Sequence, residues 1–287
     1  MRDCGCEEMP ALRTCRDYVT LATEFQAMQQ MQITFLGTGT SHGIPVIGCG
    51  CAVCKSTDSR DKRLRTSIQI KTPGFSLIVD TTPDFRTQCL REDIGSVDAV
   101  LYTHAHVDHI LGFDDLRRFC ELENKSMPIL GSSETLDSLT RVFQYAFDGS
   151  SRFPNYIRPD PQPIKGPFSL GGLDIVPVEL PHGRMTTNGF VFEKNGRRLF
   201  AYYTDCAGLP SPAEEAAKDV DVLVIDALRH NSHQTHFTVQ GALDAARRIR
   251  ARQTYFIHMC HELGHAETEA SLPSDVRLAY DGLRIDL

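Results

Sequence analysis

Three things are scarce or missing in this 287-residue chain: long apolar runs, an excess of basic residues, and repeats or low-complexity segments. No stretch of eighteen apolar residues occurs, so no membrane-spanning helix is expected. Asp3, Glu7, Glu8, Arg13, Arg16 and Asp17 interrupt the first thirty residues, which do not read as a signal peptide, and a cytoplasmic location is expected. Thirty Lys and Arg against 37 Asp and Glu leave a net charge of −7. That balance argues against tight, sequence-independent binding to nucleic acid, which needs a dense basic surface. It leaves room for a small phosphorylated substrate, because bound metals can supply local positive charge. With 41% hydrophobic and 23% charged residues, the composition is that of an ordinary globular protein with one large core.

Ten cysteines are present. In a chain of this kind, metal binding or buried free thiols are expected before disulfides. Cys4, Cys6 and Cys15 fall in residues 1–30, which lack strong periodicity and offer a short helix over about 12–28. No partner histidine or cysteine lies near them to close a metal site. Met31 then opens Met31-Gln32-Ile33-Thr34-Phe35-Leu36-Gly37, the pattern of a first core strand. Residues 1–30 are read as an N-terminal extension that need not be native, and 31–287 as one domain.

The segment Thr103-His104-Ala105-His106-Val107-Asp108-His109 carries the most chemistry. It follows the apolar run Val97-Asp98-Ala99-Val100-Leu101-Tyr102, which reads as a buried strand ending at a loop. In extended chain, residues i and i+2 point the same way, so His104 and His106 can grip one cation. Asp108 and His109 follow the turn and suit a second cation beside it. Imidazole and carboxylate without thiolate suit zinc, manganese, iron or nickel. A second constellation is C-x-C-x-x-C, in Gly48-Cys49-Gly50-Cys51-Ala52-Val53-Cys54. Three thiolates need a fourth ligand to close a tetrahedral zinc site. His261, in His258-Met259-Cys260-His261, is the candidate, and Cys260 competes with it.

H-x-H-x-D-H after a strand resembles the metallo-β-lactamase superfamily. The resemblance implies an αββα sandwich, α/β in class, and further ligands in a set order after strands. Leu180-Pro181-His182-Gly183, Tyr202-Tyr203-Thr204-Asp205 and Tyr255-Phe256-Ile257-His258 match that order. It runs from about Gln32 to the C-terminus. The run Leu36-Gly37-Thr38-Gly39-Thr40-Ser41-His42-Gly43-Ile44-Pro45, followed by the cysteine loop, resembles the PhnP-like branch of phosphoribosyl cyclic phosphate phosphodiesterases. That branch implies a dinuclear site of Zn²⁺ or Mn²⁺ plus one structural Zn²⁺ held by three Cys and one His. The first metal would take His104, His106 and His182, the second Asp108, His109 and His258, with Asp205 bridging. PqqB-type proteins are similar in the glycine-rich start and Cys loop but have a degraded dinuclear motif.

Around these motifs, residues 65–71 and 75–80 read as a hairpin turning at Pro73-Gly74. Helices are expected over 83–92 and 111–122, and over a face holding Leu136, Leu139, Val142, Phe143 and Ala146. Strands are expected at 172–180, 188–194, 197–204 and 221–226. Ser211-Pro212-Ala213-Glu214 reads as a capping box. Ala242, Ala245, Ala246 and Ile249 stripe the last long helix. The Pro-rich stretch 153–167 reads as a linker or rim loop.

The resulting expectation is a phosphodiesterase acting on a small cyclic phosphodiester of the phosphoribosyl 1,2-cyclic phosphate or 2′,3′-cyclic nucleotide type. Metal binding lowers the pKa of water toward ~7, which makes hydroxide available at neutral pH. His236 is the candidate for the leaving group, by resemblance to the PhnP-like branch, and His233 is its rival. Thr238 would cap the following helix. Asp80 and Asp226, each at a strand end, can orient histidines or serve as turn residues. His42, His230 and His265 are left as surface or supporting residues. The alternatives are a nuclease of the RNase Z kind, which the acidic charge and missing basic arm oppose, hydrolysis of a thiolester or lactam, and a PqqB-like binding protein without turnover. The resemblance also implies a homodimer.

Overall fold

A computed structural model describes residues 31–149 and 156–287. The expectations for residues 1–30, including the helix over 12–28 and the three early cysteines, lie outside it. Two mixed seven-stranded sheets face each other. The first is built from β1 (Gln32–Gly37), β2 (Ser67–Thr72), β3 (Phe75–Val79), β4 (Ala99–Leu101), β5 (Met127–Gly131) and β6 (Pro159–Pro163). The second holds β7 (Phe168–Leu170), β8 (Leu173–His182), β9 (Met185–Lys194), β10 (Arg197–Tyr203), β11 (Val222–Asp226), β12 (Gln253–Ile257) and β13 (Val276–Leu278). β14 (Arg284–Asp286) returns to pair with β1, so the first sheet runs β14-β1-β2-β3-β4-β5-β6 and the second β13-β12-β11-β10-β9-β8-β7.

The layering follows from period-2 alternation in strands buried on both faces. In β4, Ala99 and Leu101 pack into the core between the sheets, while Val100 and the following Tyr102 face the outer helices. In β11, Val222 and Val224 face inward, and Leu223 and Ile225 meet the helix Val239–Ile249 side. In that helix Ala242, Ala245, Ala246 and Ile249 are buried, as the stripe predicts. On the first sheet, helices Phe85–Arg91, Arg117–Glu123 and Ser133–Val142 supply the outer layer. The result is the expected αββα sandwich.

Several local expectations are corrected. Ser211 does not cap its helix: Pro210 takes that place without a side-chain bond, its carbonyl accepting from the amides of Ala213 and Glu214. Val142 is exposed, because the helix ends there and the chain restarts at Gln144, whereas Leu136, Leu139 and Phe143 stay buried. The described part of the Pro-rich stretch contains the edge strand β6, parallel to β5, in place of a loop. Pro159, Pro161 and Pro163 alternate, and the amide of Ile164 and the carbonyl of Arg158 bond to β5. The prolines therefore fall where no neighbouring strand needs an N–H.

Parallel strands β3 and β4, and β10, β11 and β12, end on the same side of their sheets. Asp80, His104, Asp205, Asp226 and His258 stand at or just past these carboxyl ends, where clefts open in α/β sheets. Three of them, Asp80, Asp205 and His258, have φ values of 64°, 52° and 59°. Left-handed backbone at non-glycine residues is costly and gathers at functional sites.

Candidate metal centre

The strand ends bring the predicted site residues together. His104, His106 and His182 form one group whose ligand atoms all lie within 4.8 Å of one another. His104, His109 and Asp205 form a second, His182, Asp205 and His236 a third, and Asp108, Asp205 and His258 a fourth, so Asp205 is shared by three groups and stands at the centre of the cluster. His104 Nε2 stands 2.9 Å from His106 Nδ1, two ring nitrogens aimed at one space. His109 Nε2 lies 3.5 Å from Asp108 Oδ2 and 3.3 Å from Asp205 Oδ1.

Three of the rings, His104, His109 and His182, are oriented through the nitrogen that faces away from the cluster. Asp80 is the hub: it accepts from the Thr103 amide at 2.9 Å, the Thr103 hydroxyl at 2.8 Å and His109 Nδ1 at 2.7 Å. Because the Thr103 hydroxyl donates to Asp80, its lone pair accepts from His104 Nδ1 at 3.0 Å, leaving Nε2 free for a cation. His182 Nδ1 donates to the Thr235 carbonyl at 2.9 Å. The Thr66 hydroxyl donates to the Gly39 carbonyl and lies 3.0 Å from His258 Nδ1, the same nitrogen that stands 3.3 Å from Asp205 Oδ2. Such outer partners fix tautomer and direction in metal sites. Thr66 and the Thr235 carbonyl had no signal in the sequence; Thr103 could have been found from its place directly before His104.

Three of the imidazoles are in the neutral state that a cation needs. Burial pushes His104 and His182 down, and His258 down to about 3, so these imidazoles are neutral. Burial works against the charge on Asp205, but His258 and His109 hold it well below the usual carboxylate range. Burial likewise opposes the charge on His109, yet Asp205, Asp80 and Asp108 raise it strongly. The Nε2 of this fully buried ring has no hydrogen-bond partner among the described residues. An orphaned ring nitrogen facing two carboxylates fits a divalent cation.

His236 stands at the rim of this cluster, its ring centroid 4.9 Å from that of His182 and 4.8 Å from that of His258. Its Nδ1 donates to Asp226 Oδ2 at 2.6 Å, and the same oxygen accepts from the Cys206 amide at 3.0 Å. Asp226 thus backs the rim histidine. Burial works against a charge on His236, but Asp226 outweighs it and raises the imidazole above its ordinary value. His233 is exposed, and its Nδ1 is taken up by the Thr235 amide and hydroxyl. The two lie side by side, with centroids 5.1 Å apart, but only His236 has a carboxylate behind it. Thr238 caps the next helix, accepting from the Gly241 amide. The cleft has a volume of about 450 Å³, with Ser41, Asp108 and His236 on its walls.

The cysteine loop forms a separate group. Cys49, Cys51 and Cys54 Sγ lie 3.2, 3.5 and 3.7 Å from His261 Nδ1. Tetrahedral zinc with ~2.3 Å bonds to sulfur and ~2.0 Å to nitrogen requires S···N separations of about 3.5 Å, which these distances bracket. The Cys54 amide bonds to Cys51 Sγ and lowers that thiol to about 6, whereas burial pushes Cys54 up to about 11. A cation among them would let all three ionise. Cys260, the competing ligand, instead accepts from the Glu262 amide and stays outside the group. All seven described cysteines are free. Behind the loop, fully buried Arg63 donates to the carbonyls of Cys260 and Leu263 and to Asp61, which also accepts from the His265 amide. His265 is therefore buried, not at the surface, whereas His42 and His230 are exposed.

Residues 76–259 match the Beta-lactamase superfamily domain. The chain belongs to this family. A solved diphosphatase of the PhnP family is 38% identical, with a TM-score of 0.83 over 90% of this chain and 98% of that one. An octanoyltransferase of Porphyromonas gingivalis is 35% identical over 263 residues, 88% of this chain but 51% of that protein. This chain thus spans about half the length of that relative. A coenzyme PQQ synthesis protein B of Methylobacterium radiotolerans is 29% identical over 222 residues, 68% of this chain and 72% of that protein. The superfamily and its PhnP-like branch are as the sequence motifs implied. Among the described residues no helix is long and apolar enough to cross a membrane.

Proposed function

We propose that this metallo-β-lactamase-fold hydrolase is a metal-dependent phosphodiesterase for a small phosphodiester, of the phosphoribosyl 1,2-cyclic phosphate or 2′,3′-cyclic nucleotide type. The observation that carries the reading is the Asp226–His236 pair at the lip of the metal-ligand cluster. A binding protein has no need of a charged imidazole held over its metal ligands; a leaving oxyanion does.

His104, His106 and His182 would hold one divalent cation, and Asp108, His109 and His258 a second, with Asp205 between them. Zinc or manganese suits this donor set. When bound, such a pair supplies a nucleophilic oxygen from water at neutral pH and neutralises charge on the phosphoryl oxygens. The protein does the rest. Asp80 and Thr103 keep His104 and His109 in register. Asp226 holds His236 protonated and aimed into the cleft. The P–O bond to the leaving oxygen breaks as the oxygen from water bonds to phosphorus, and His236 gives the leaving oxygen its proton. Cys49, Cys51, Cys54 and His261 would hold a structural zinc, and none of them lines the cleft.

A diphosphate is a second substrate candidate, favoured by the likeness to the PhnP-family diphosphatase. The same residues serve, with a phosphate as the leaving group. The transferase name of the longer relative is not carried over, because about half of that protein has no counterpart here.

Phosphorus NMR tests the reading. Metal-loaded protein should open ribosyl 1,2-cyclic phosphate or a 2′,3′-cyclic nucleotide, and His236→Ala should be slowed by about 10²-fold or more, the size of a general-acid contribution. No opening of either ester, and no cleavage of a dinucleoside diphosphate, with the metal sites filled would move the protein to a binding role.

A further inference from the structure

Most of the cleft wall already has a task. Its histidines and aspartates are candidate ligands or the candidate acid. Ala105 and Val107 are apolar. Thr235 gives its carbonyl to His182 and shares its hydroxyl with His233 Nδ1. One polar wall residue is unused. Ser41 is exposed and lines the cleft, and its hydroxyl has no hydrogen-bond partner among the described residues.

The backbone under that hydroxyl is clamped. Thr40-Ser41-His42-Gly43 forms a turn closed by the Gly43 amide on the Thr40 carbonyl at 2.8 Å, with Gly43 at φ +63°. One flank is tied to the His258 strand end: Gly39 bridges to Met259, and the Thr40 amide donates to the Met259 carbonyl at 3.2 Å. On the other flank the Ile44 amide donates to the Arg63 carbonyl at 2.8 Å. The tip itself is gripped by half-buried Arg65, whose Nε donates to the Ser41 carbonyl at 3.1 Å. That guanidinium is fixed in turn, with Nη1 2.9 and 3.1 Å from the two oxygens of Asp84. Exposed turns are ordinarily the mobile parts of a fold. This one is held from three sides and carries an unpaired hydroxyl beside the metal ligands.

We propose that the Ser41 hydroxyl donates a hydrogen bond to a non-bridging oxygen of the phosphoryl group in the cleft. The assignment rests on the phosphodiester reading above and adds to it a neutral donor on the wall beside His258. A single carbon separates this oxygen from the backbone, so it reaches what lies in the cleft and nothing beyond. Non-bridging oxygens carry the charge of the phosphoryl transition state, and a donor already in place stabilises it without reorganisation. Ser41 forms no covalent bond and gives up no proton.

Two esters test this: adenosine 2′,3′-cyclic phosphate, whose leaving alkoxide needs a proton, and bis(p-nitrophenyl) phosphate, whose leaving phenolate does not. With metal-loaded protein, Ser41→Ala should lower kcat on both by about 10- to 100-fold, the size of a hydrogen bond to a charged group. Its Tm and metal content should match wild type. Ser41→Thr keeps the hydroxyl and should retain most of the rate, and His236→Ala should be slowed on the cyclic ester alone. Ser41→Ala rates within about twofold of wild type on every ester that wild type cleaves overturn the assignment and leave the phosphodiesterase intact. So does a loss confined to the cyclic ester, or one that follows a loss of metal. Should wild type cleave neither ester, the phosphodiesterase reading fails and calorimetry with inorganic phosphate decides Ser41 separately. Phosphate binding about tenfold weaker in Ser41→Ala than in wild type would sustain the donor. Equal affinities would overturn it.

Discussion

The two ligand clusters are built in opposite ways. The His/Asp cluster hangs from the ends of parallel strands of both sheets, borders an open cleft, and is aimed by a dedicated layer of hydrogen bonds through Asp80, Thr103, Thr66 and the Thr235 carbonyl. The Cys/His cluster draws on two loops that are far apart in sequence, and its support is a buried guanidinium that grips backbone carbonyls beside His261. The first spends buried polar groups on direction. The second spends them on holding loops together. Substitutions in the first should therefore cost activity at little cost in stability, and substitutions in the second the reverse.

The largest effect should come from His106→Ala, which removes a ligand nitrogen from the open side of the cleft. Turnover should fall on the order of 10³-fold or more while the melting temperature moves little. An unfolded variant would break the contrast.

Next comes Arg63→Ala. It strips the partner from buried Asp61 and leaves the Cys260 and Leu263 carbonyls unbonded. Breaking a buried pair costs about 3 kcal/mol or more. That lowers Tm by roughly 6–12 °C in a domain of this size. Thermal unfolding checks it, with kcat of the folded protein expected near that of wild type.

Asp80→Asn should be smaller. The amide cannot accept from both His109 and Thr103 as the carboxylate does, so metal affinity or activity should drop by about 10–100-fold. Metal titration of the stripped protein, read beside Tm, separates this from a folding defect.

The subtlest test is the pH profile. Asp226 raises His236, so the protonated acid persists to a higher pH than an ordinary histidine would allow and is lost as pH climbs through that raised value. Turnover should therefore decline on the alkaline side. In Asp226→Asn the carboxylate is gone, burial prevails, and the alkaline decline should move to lower pH. An unmoved limb would mean that a group other than His236 sets it.

The sequence disclosed ligands better than their supports, for a physical reason. His104 to His109 are contiguous, and His182, Asp205 and His258 each close an apolar run, so strand-end placement gives them away. Asp226 and Asp80 were visible as strand-end carboxylates, but their targets were not, because hydrogen-bond partners 10 and 29 residues away leave no pattern in the chain. Thr66 and Arg63 act across 192 and 197 residues and carry no periodic signal. The capping box at Ser211 failed because Pro210, fixed in extended backbone, already fills the cap position. The prolines of β6 suggested a loop, and only the pairing of β6 as an edge strand shows why alternation makes them harmless.

Metal content per chain tests the central claim most directly. Plasma mass spectrometry of the reconstituted wild type should find three divalent ions. Cys51→Ser should keep two and remain active per folded molecule, and a His106→Ala, His109→Ala double variant should keep one zinc and be inactive. A wild type that binds a single ion, or a Cys51→Ser variant that loses the cleft metals and keeps the third, would contradict the division of labour between the two clusters.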